Sequence, residues 1–269
     1  MIAAARLANR AAPFVALNLL LLTAATAPGQ VIQPPNPEQP GVPPSQERAI
    51  LRDHRDAVTS LAVSQDGKTL ATASGGKDHP GEIKLWDLVT LQERRTVHGH
   101  PVPVLSVCIA PDNETLASGA ADGTVKLWNA VTGEELATLK GHQGRVFAVA
   151  FAPNSKTLAS AGEDRTIKIW DVTLHHELRT LRGHKDMVTC VAYTHDGLQL
   201  ASGSFDAMVK IWNPATGQEK TTLKGLPAKT ANVPASDNPD EAVFKINPAR
   251  IFSVAFSQTA RRWPRALRR

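Results

Sequence analysis

Residues 141–182 read GHQGRVFAVAFAPNSKTLASAGEDRTIKIWDVTLHHELRTLR. Arg145 to Ala152 (RVFAVAFA) is an almost unbroken apolar run, the pattern of a strand buried on both faces. Thr157 to Ala161, Thr166 to Asp171 and Glu177 to Arg182 follow as short segments. Turn formers such as Pro153-Asn154 and Glu163-Asp164 separate them. The stretch predicts one unit of four short strands.

The unit is repeated. Trp86, Trp128, Trp170 and Trp212 recur at intervals of 42, 42 and 42 residues. A period of about 40–45 residues marks one supersecondary unit of four strands per repeat. Gly99-His100, Gly141-His142 and Gly183-His184 open their units, and Trp86-Asp87, Trp128-Asn129, Trp170-Asp171 and Trp212-Asn213 close them. The first unit has Asp53-His54 where the glycine-histidine pair is expected.

These residues resemble WD40 repeats over residues 47–224. The resemblance implies an all-β propeller, with blades arranged radially around a channel, of which four are recognisable. It also implies a buried hydrogen-bond chain of Trp, Ser/Thr, His and Asp in each unit. The matching sets are His100, Ser118, Asp122, Trp128, then His142, Ser160, Asp164, Trp170, then His184, Ser202, Asp206, Trp212, with identical spacings. The first unit supplies His54, Thr72, Asp78 and Trp86, its Asp78 lying eight rather than six residues before the tryptophan.

A serine, a histidine and an aspartate could also make a nucleophilic triad. Equivalent triads buried in every blade would be as many active sites, whereas catalysis needs one exposed constellation in a cleft. The structural role follows instead, because every buried indole N–H, hydroxyl and imidazole needs a partner. No catalytic, cofactor-binding or metal-binding residue is therefore expected, and no cofactor. His175-His176-Glu177 lacks the paired histidines at helical spacing of a zinc protease, and Gly75-Gly76-Lys77 lacks the spacing of a phosphate-binding loop. Cys108 and Cys190 fall on the first strands of the second and fourth units, too far apart for a disulfide, and read as buried thiols.

Downstream, the repeat falters. Gly225-Leu226 replaces glycine-histidine, and residues 225–249 read as an irregular insertion. Arg250 to Ser257 (RIFSVAFS) then aligns with Arg145 to Ala152, as the first strand of a partial fifth blade. Residues 258–269 form a basic tail with no further strand pattern. The expectation is an incomplete, open ring with unpaired ends that favour self-association. Glu47 to Arg52 (ERAILR) resembles the outer strand of the other units and is a candidate clasp.

Upstream, Arg6 and Arg10 precede an apolar stretch from Ala11 to Ala27, followed by the small residues of Ala25-Thr26-Ala27. Residues 1–29 thus read as a signal peptide, with an uncleaved anchor and a non-targeting leader as alternatives. The run is short for a spanning helix, so no membrane span is expected beyond such an anchor. Six prolines between Pro34 and Pro44 make residues 30–46 an extended linker. The expected destination is outside the cell, in the periplasm or at the cell envelope.

The 269 residues are 42% hydrophobic and 20% charged, which excludes a wholly disordered chain. The formal charge of +5 invites a nucleic-acid reading, but five arginines of the last nine residues, with Arg6 and Arg10, account for it and leave −2 for the rest. A nucleic-acid binder carries its basic stripe on the fold. The function expected is a non-catalytic scaffold for other proteins. A truncated remnant of a longer propeller, or an enzyme using the channel, are the alternatives.

Overall fold

The computed structural model describes Leu51 and residues 54–76, 79–224, 242–247 and 250–256. The proposed signal, the linker, the basic tail, Asp53 and Asp78 lie outside these residues, as does the clasp segment apart from Leu51. The strands are β1 (Val58–Val63), β2 (Thr69–Ser74), β3 (Gly81–Asp87) and β4 (Glu93–His100) in the first sheet. The second holds β5 (Val104–Ile109), β6 (Thr115–Ala120), β7 (Val125–Asn129) and β8 (Glu135–Leu139). β9 (Val146–Phe151), β10 (Thr157–Gly162), β11 (Thr166–Asp171) and β12 (His176–Arg182) make the third. β13 (Val188–Tyr193), β14 (Leu200–Ser204), β15 (Met208–Trp212) and β16 (Glu219–Lys224) make the fourth. Each is an antiparallel meander in sequence order, so the sequence reading of four strands per unit holds in every blade.

The expectation for residues 225–249 needs correction. Within them β17 (Ala242–Asn247) pairs antiparallel with β18 (Arg250–Phe256), so the partial fifth blade is a hairpin and not a lone strand. Its residues, AVFKIN, include the strand formers Val243, Phe244 and Ile246, but they have no counterpart in the 42-residue repeat, so the period gives no signal for them.

Inner strands contact one another in succession, β1 with β5, β5 with β9, β9 with β13 and β13 with β18. Each blade has a leading face toward its predecessor and a trailing face toward its successor. The core is the set of layers between them. Between the first two blades, Ile83, Leu85 and Val97 meet Val104, Val107, Leu116 and Trp128. Val125, Leu127 and Leu139 meet Val146, Val149, Leu158 and Trp170 in the next layer. Ile167, Ile169 and Leu181 then meet Val188, Val191, Leu200 and Trp212. Each layer repeats the same interlock. A leucine on the second strand and the indole beside it, Leu116↔Trp128 for example, close the layer from the leading side.

Polar ties mark the same succession. The Thr59 hydroxyl donates to the Val104 carbonyl at 2.6 Å, and Thr189 donates to the Ile251 carbonyl. Ile251 therefore stands to the fourth blade as Val104 stands to the first, and β18 occupies the place of a fifth inner strand. Among the described residues each blade is a sheet of its own, and no strand of the first blade pairs with the last.

Candidate functional site

His142 and His184 sit in the connections that bring the chain from one blade to the next, His100 ends β4, and His54 precedes β1. In the third unit, the Trp170 Nε1–H donates to Ser160 Oγ at 2.8 Å, and Ser160 Oγ lies 2.7 Å from His142 Nε2. His142 Nδ1 is 2.9 Å from Asp164 Oδ2. A carboxylate on Nδ1 holds the ring proton there and leaves Nε2 to accept from the serine. The chain then runs in one direction, from indole to hydroxyl to imidazole to carboxylate. The fourth unit repeats it, with Trp212 to Ser202 at 2.8 Å, Ser202 to His184 at 2.8 Å and His184 to Asp206 at 2.9 Å.

Each aspartate also caps its turn. Asp164 Oδ2 accepts from the Gln143 amide at 3.0 Å, and Asp206 Oδ2 from the Lys185 amide at 2.8 Å. Burial pushes the Asp164 carboxyl upward, but His142, the Gln143 amide and the Thr166 hydroxyl outweigh it and hold the group below the ordinary carboxylate range. Burial opposes, and the Lys185 amide and His184 prevail, in lowering Asp206 likewise. Burial is the main cause that lowers His184, despite its aspartate.

The second and first units close differently. His100 keeps its serine at 2.7 Å and Trp128 its bond to that serine at 2.8 Å, but Asp122 does not reach the imidazole. The Thr124 hydroxyl intervenes, 3.3 Å from His100 Nδ1, and donates to Asp122 at 2.7 Å. Burial, with no carboxylate in contact, pushes His100 down to about 4. In the first unit His54 lies 2.6 Å from Thr72, which accepts from Trp86 at 2.8 Å. Its other nitrogen meets Ser74 Oγ at 2.8 Å and Glu82 Oε1 at 3.2 Å. Glu82 stands where the other units carry Thr124, Thr166 and Met208, so a carboxylate reaches His54 from the third strand.

A second chain, repeated in all four blades, was not read from the sequence. Lys84, Lys126, Lys168 and Lys210, each two residues before the tryptophan, reach across the sheet. Their ammonium groups meet Glu93, Glu135, Glu177 and Glu219 at 2.7, 2.7, 2.7 and 2.8 Å. They meet Thr96, Thr138, Thr180 and Thr222 at 2.8, 2.7, 2.9 and 2.8 Å. The signal was present, since Lys, Glu and Thr recur at +0, +9 and +12 in every unit. Glu177, noted beside His175-His176, is thereby a lysine partner in the third blade.

The hydroxyls of the histidine chains are enclosed. Ser118, Ser160 and Ser202 are fully buried. Each hydroxyl already takes the indole proton, so the nucleophile of a triad is enclosed and occupied. The cysteines are unpaired, Cys190 buried and Cys108 half-buried, and burial pushes the Cys190 thiol up to about 12. Among the described residues no group of three or more His, Cys, Asp or Glu side chains is placed to hold a metal ion, and no helix is long and apolar enough to cross a membrane.

What the histidine chains do is pin loops. Gly99, Gly141 and Gly183 lie against the indoles of Trp128, Trp170 and Trp212, and a Cβ on Gly99 would stand 2.6 Å from the Trp128 ring. The turns they fix present Gln143, Arg145, Glu163, Arg165, Lys185 and Asp186 at one end of the blades, all but buried backbone anchors around them exposed.

Comparison with known families matches the WD domain, G-beta repeat family at residues 45–87, 91–129, 133–171 and 175–213, more than half of the chain. The chain belongs to the WD40 family. A comparison with curated proteins finds no match. The matches are offset from the blades by one strand: the second, third and fourth take β4, β8 and β12 together with the first three strands of the following blade, and every match ends one residue after a repeat tryptophan. WD40 propellers are scaffolds for protein interactions in general, and the four-bladed series is of that kind.

Proposed function

We propose that this chain is a non-catalytic scaffold that works outside the cytoplasm and docks other proteins on the loop surface held by the histidine chains. The observation that supports it most is repetition. The polar chains recur in every blade with their hydroxyls enclosed, and the turns that these chains fix carry exposed charge at Arg145, Glu163, Arg165, Lys185 and Asp186. A rigid surface of mixed charge suits recognition of folded partners, because it orders little on binding. Export rests on Arg6, Arg10 and the apolar stretch before Ala25-Thr26-Ala27, and the mature chain begins after residue 27 to 29.

Affinity capture with the mature chain tests the scaffold reading, run beside a variant carrying Arg145→Glu, Arg165→Glu and Lys185→Glu. Partners retained by the wild type and lost by a normally melting variant support it. Equal retention by both moves the docking surface elsewhere. N-terminal sequencing of protein from the native host tests export, and an intact Met1 on cytosolic protein overturns it. A remnant of a longer propeller is the second reading, favoured by the exposure of Leu223 on the far side of the fourth blade, and further repeats in the downstream DNA would support it.

A further inference from the structure

The turns fixed by the histidine chains are alike in backbone and unlike in side chain. After β6, β10 and β14 the next amide donates to the carbonyl just before the inner strand of the same blade. Ala121 donates to Pro103 at 3.0 Å, Glu163 to Arg145 at 2.8 Å and Phe205 to Met187 at 3.0 Å. One backbone bond is thus made by a Pro/Ala, an Arg/Glu and a Met/Phe pair, so the fold itself does not require apolar side chains there. Met187, Phe205 and Ala207, the last in the place of Arg165, are all partly exposed. The Phe205 ring packs on Phe252 of β18, with centroids 5.4 Å apart at 73°, and Phe252 stays 37% exposed. The fourth blade therefore carries an apolar spot where the third carries charge.

The charge beside that spot is unevenly available. Glu163 Oε2 accepts from the Arg145 amide at 3.0 Å, and Asp186 Oδ1 from the Met187 amide at 2.8 Å. Asp164 and Asp206 are held by their histidines and by the Gln143 and Lys185 amides. Arg145, Arg165 and Lys185 are exposed, and none of the three makes an ion pair among the described residues. The carboxylates serve their own backbone, and the cations are left to reach outward. Lys185 flanks the apolar spot on its own turn, and the two arginines stand on the matching turn of the third blade.

We propose that this corner of the loop surface takes an extended acidic segment of a partner protein. One aromatic or large aliphatic anchor sits on Met187, Phe205 and Phe252, and its flanking carboxylates pair with Lys185, Arg145 and Arg165. The inference deepens the scaffold reading and rests on it. Sheets packed face to face lie about 10 Å apart, and six extended residues span about 20 Å, so one segment reaches both turns. The seated anchor supplies most of the affinity, and the charges set register and speed of encounter. A nucleic acid fits less well. Three cations are few beside the roughly 6–10 phosphates that such binders neutralise, and the turn carboxylates would repel its backbone.

An array of hexapeptides probed with the full chain tests this. The anchor position is Phe, Trp, Leu or Ser, the flanks are acidic, neutral or basic, and single-stranded oligonucleotides are spotted beside them. Two variants separate the parts. Met187→Arg with Phe205→Glu installs the pair that the third blade already carries and leaves the net charge unchanged, so the fold should survive. Arg145→Ser with Lys185→Ser removes two exposed cations. Cooperative melting verifies both. The wild type is expected to bind acidic peptides with a Phe, Trp or Leu anchor, and each variant to bind them at least about tenfold more weakly. Acidic peptides bound equally with Ser at the anchor overturn the proposal, since the arginine-rich tail alone would do that. Undiminished binding by the Met187→Arg, Phe205→Glu variant overturns it too, and so does preference for the oligonucleotides. If the array fails while the charge-reversed triple variant still loses captured partners, the scaffold reading stands and this inference falls.

Discussion

The layer between the third and fourth blades and the far side of the fourth are built from the same residue types, yet they hold the chain together unequally. In the first, Ile167, Ile169 and Leu181 meet a complete leading face with Leu200 and Trp212. In the second, Val209 and Ile211 meet two side chains of β18, and Leu223 faces outward. Stability in a repeat array comes from nearest-neighbour interfaces as well as from each unit. The contrast teaches that the residue pattern prepares a face for burial, and only a neighbour with the matching pattern completes it.

Five tests break or sharpen that contrast. The largest effect is expected from Trp212→Ala, which empties the covered layer and leaves Ser202 without its donor; a loss of about 3–5 kcal/mol follows from the cavity. Denaturant titration beside wild type measures it. Next come the matched leucines. Leu181→Ala should cost about 2–5 kcal/mol, and Leu223→Ala about 0.5 kcal/mol or less, as for a surface site. Equal losses would mean that the fourth blade's far side is covered in solution.

Acid should loosen the covered layers through their histidines. His100 is held down to about 4, so its unfolded form binds a proton near the ordinary value of about 6.5 and its folded form only well below. Stability is full above that range and falls as pH drops from about 6.5 to 4, by on the order of 3 kcal/mol for this group. His184 contributes in the same direction. Asp164 and Asp206, held low, add their loss only in stronger acid, as pH falls below the unfolded carboxylate range. Melting temperature against pH, in wild type and in His100→Gln, checks the assignment, since the variant should lose the upper part of the slope.

His142→Ala is expected to cost about 1–3 kcal/mol by leaving Ser160 and Asp164 unpaired. Combined with Ser160→Ala it should cost less than the sum, because both belong to one chain. The smallest effect is one of local opening. Amides of the β17–β18 hairpin should exchange with solvent before those of β9 and β10, whose blade is covered on both faces. Equal protection would place the hairpin in the cooperative core.

Much of the molecule was legible because each unit is local. Trp, Ser or Thr, and His lie within one blade and its entry turn, and their bonds formed as the repeat implied in all four units. The last link was less legible. Asp164 and Asp206 reach their histidines, but Asp122 stands at the same spacing and does not, because Thr124 takes the position between. A hydrogen bond depends on fractions of an ångström in side-chain placement, which spacing does not specify. The lysine chain was legible in principle and overlooked, since a charged residue on a strand reads as solvent-facing until its cross-strand partners are known.

By itself the sequence determined the all-β class, the 42-residue unit, the near-continuous apolar first strand with two buried faces and the composition of the histidine chains. These follow from local chain geometry repeated in register. The tertiary structure alone decided that Glu82 meets His54, that lysines bridge the outer strands, that β17 joins β18 and that Leu223 is more exposed than its counterparts. Each of these depends on which surfaces meet across the fold, and burial is a property of a pair of surfaces rather than of the residues on one of them.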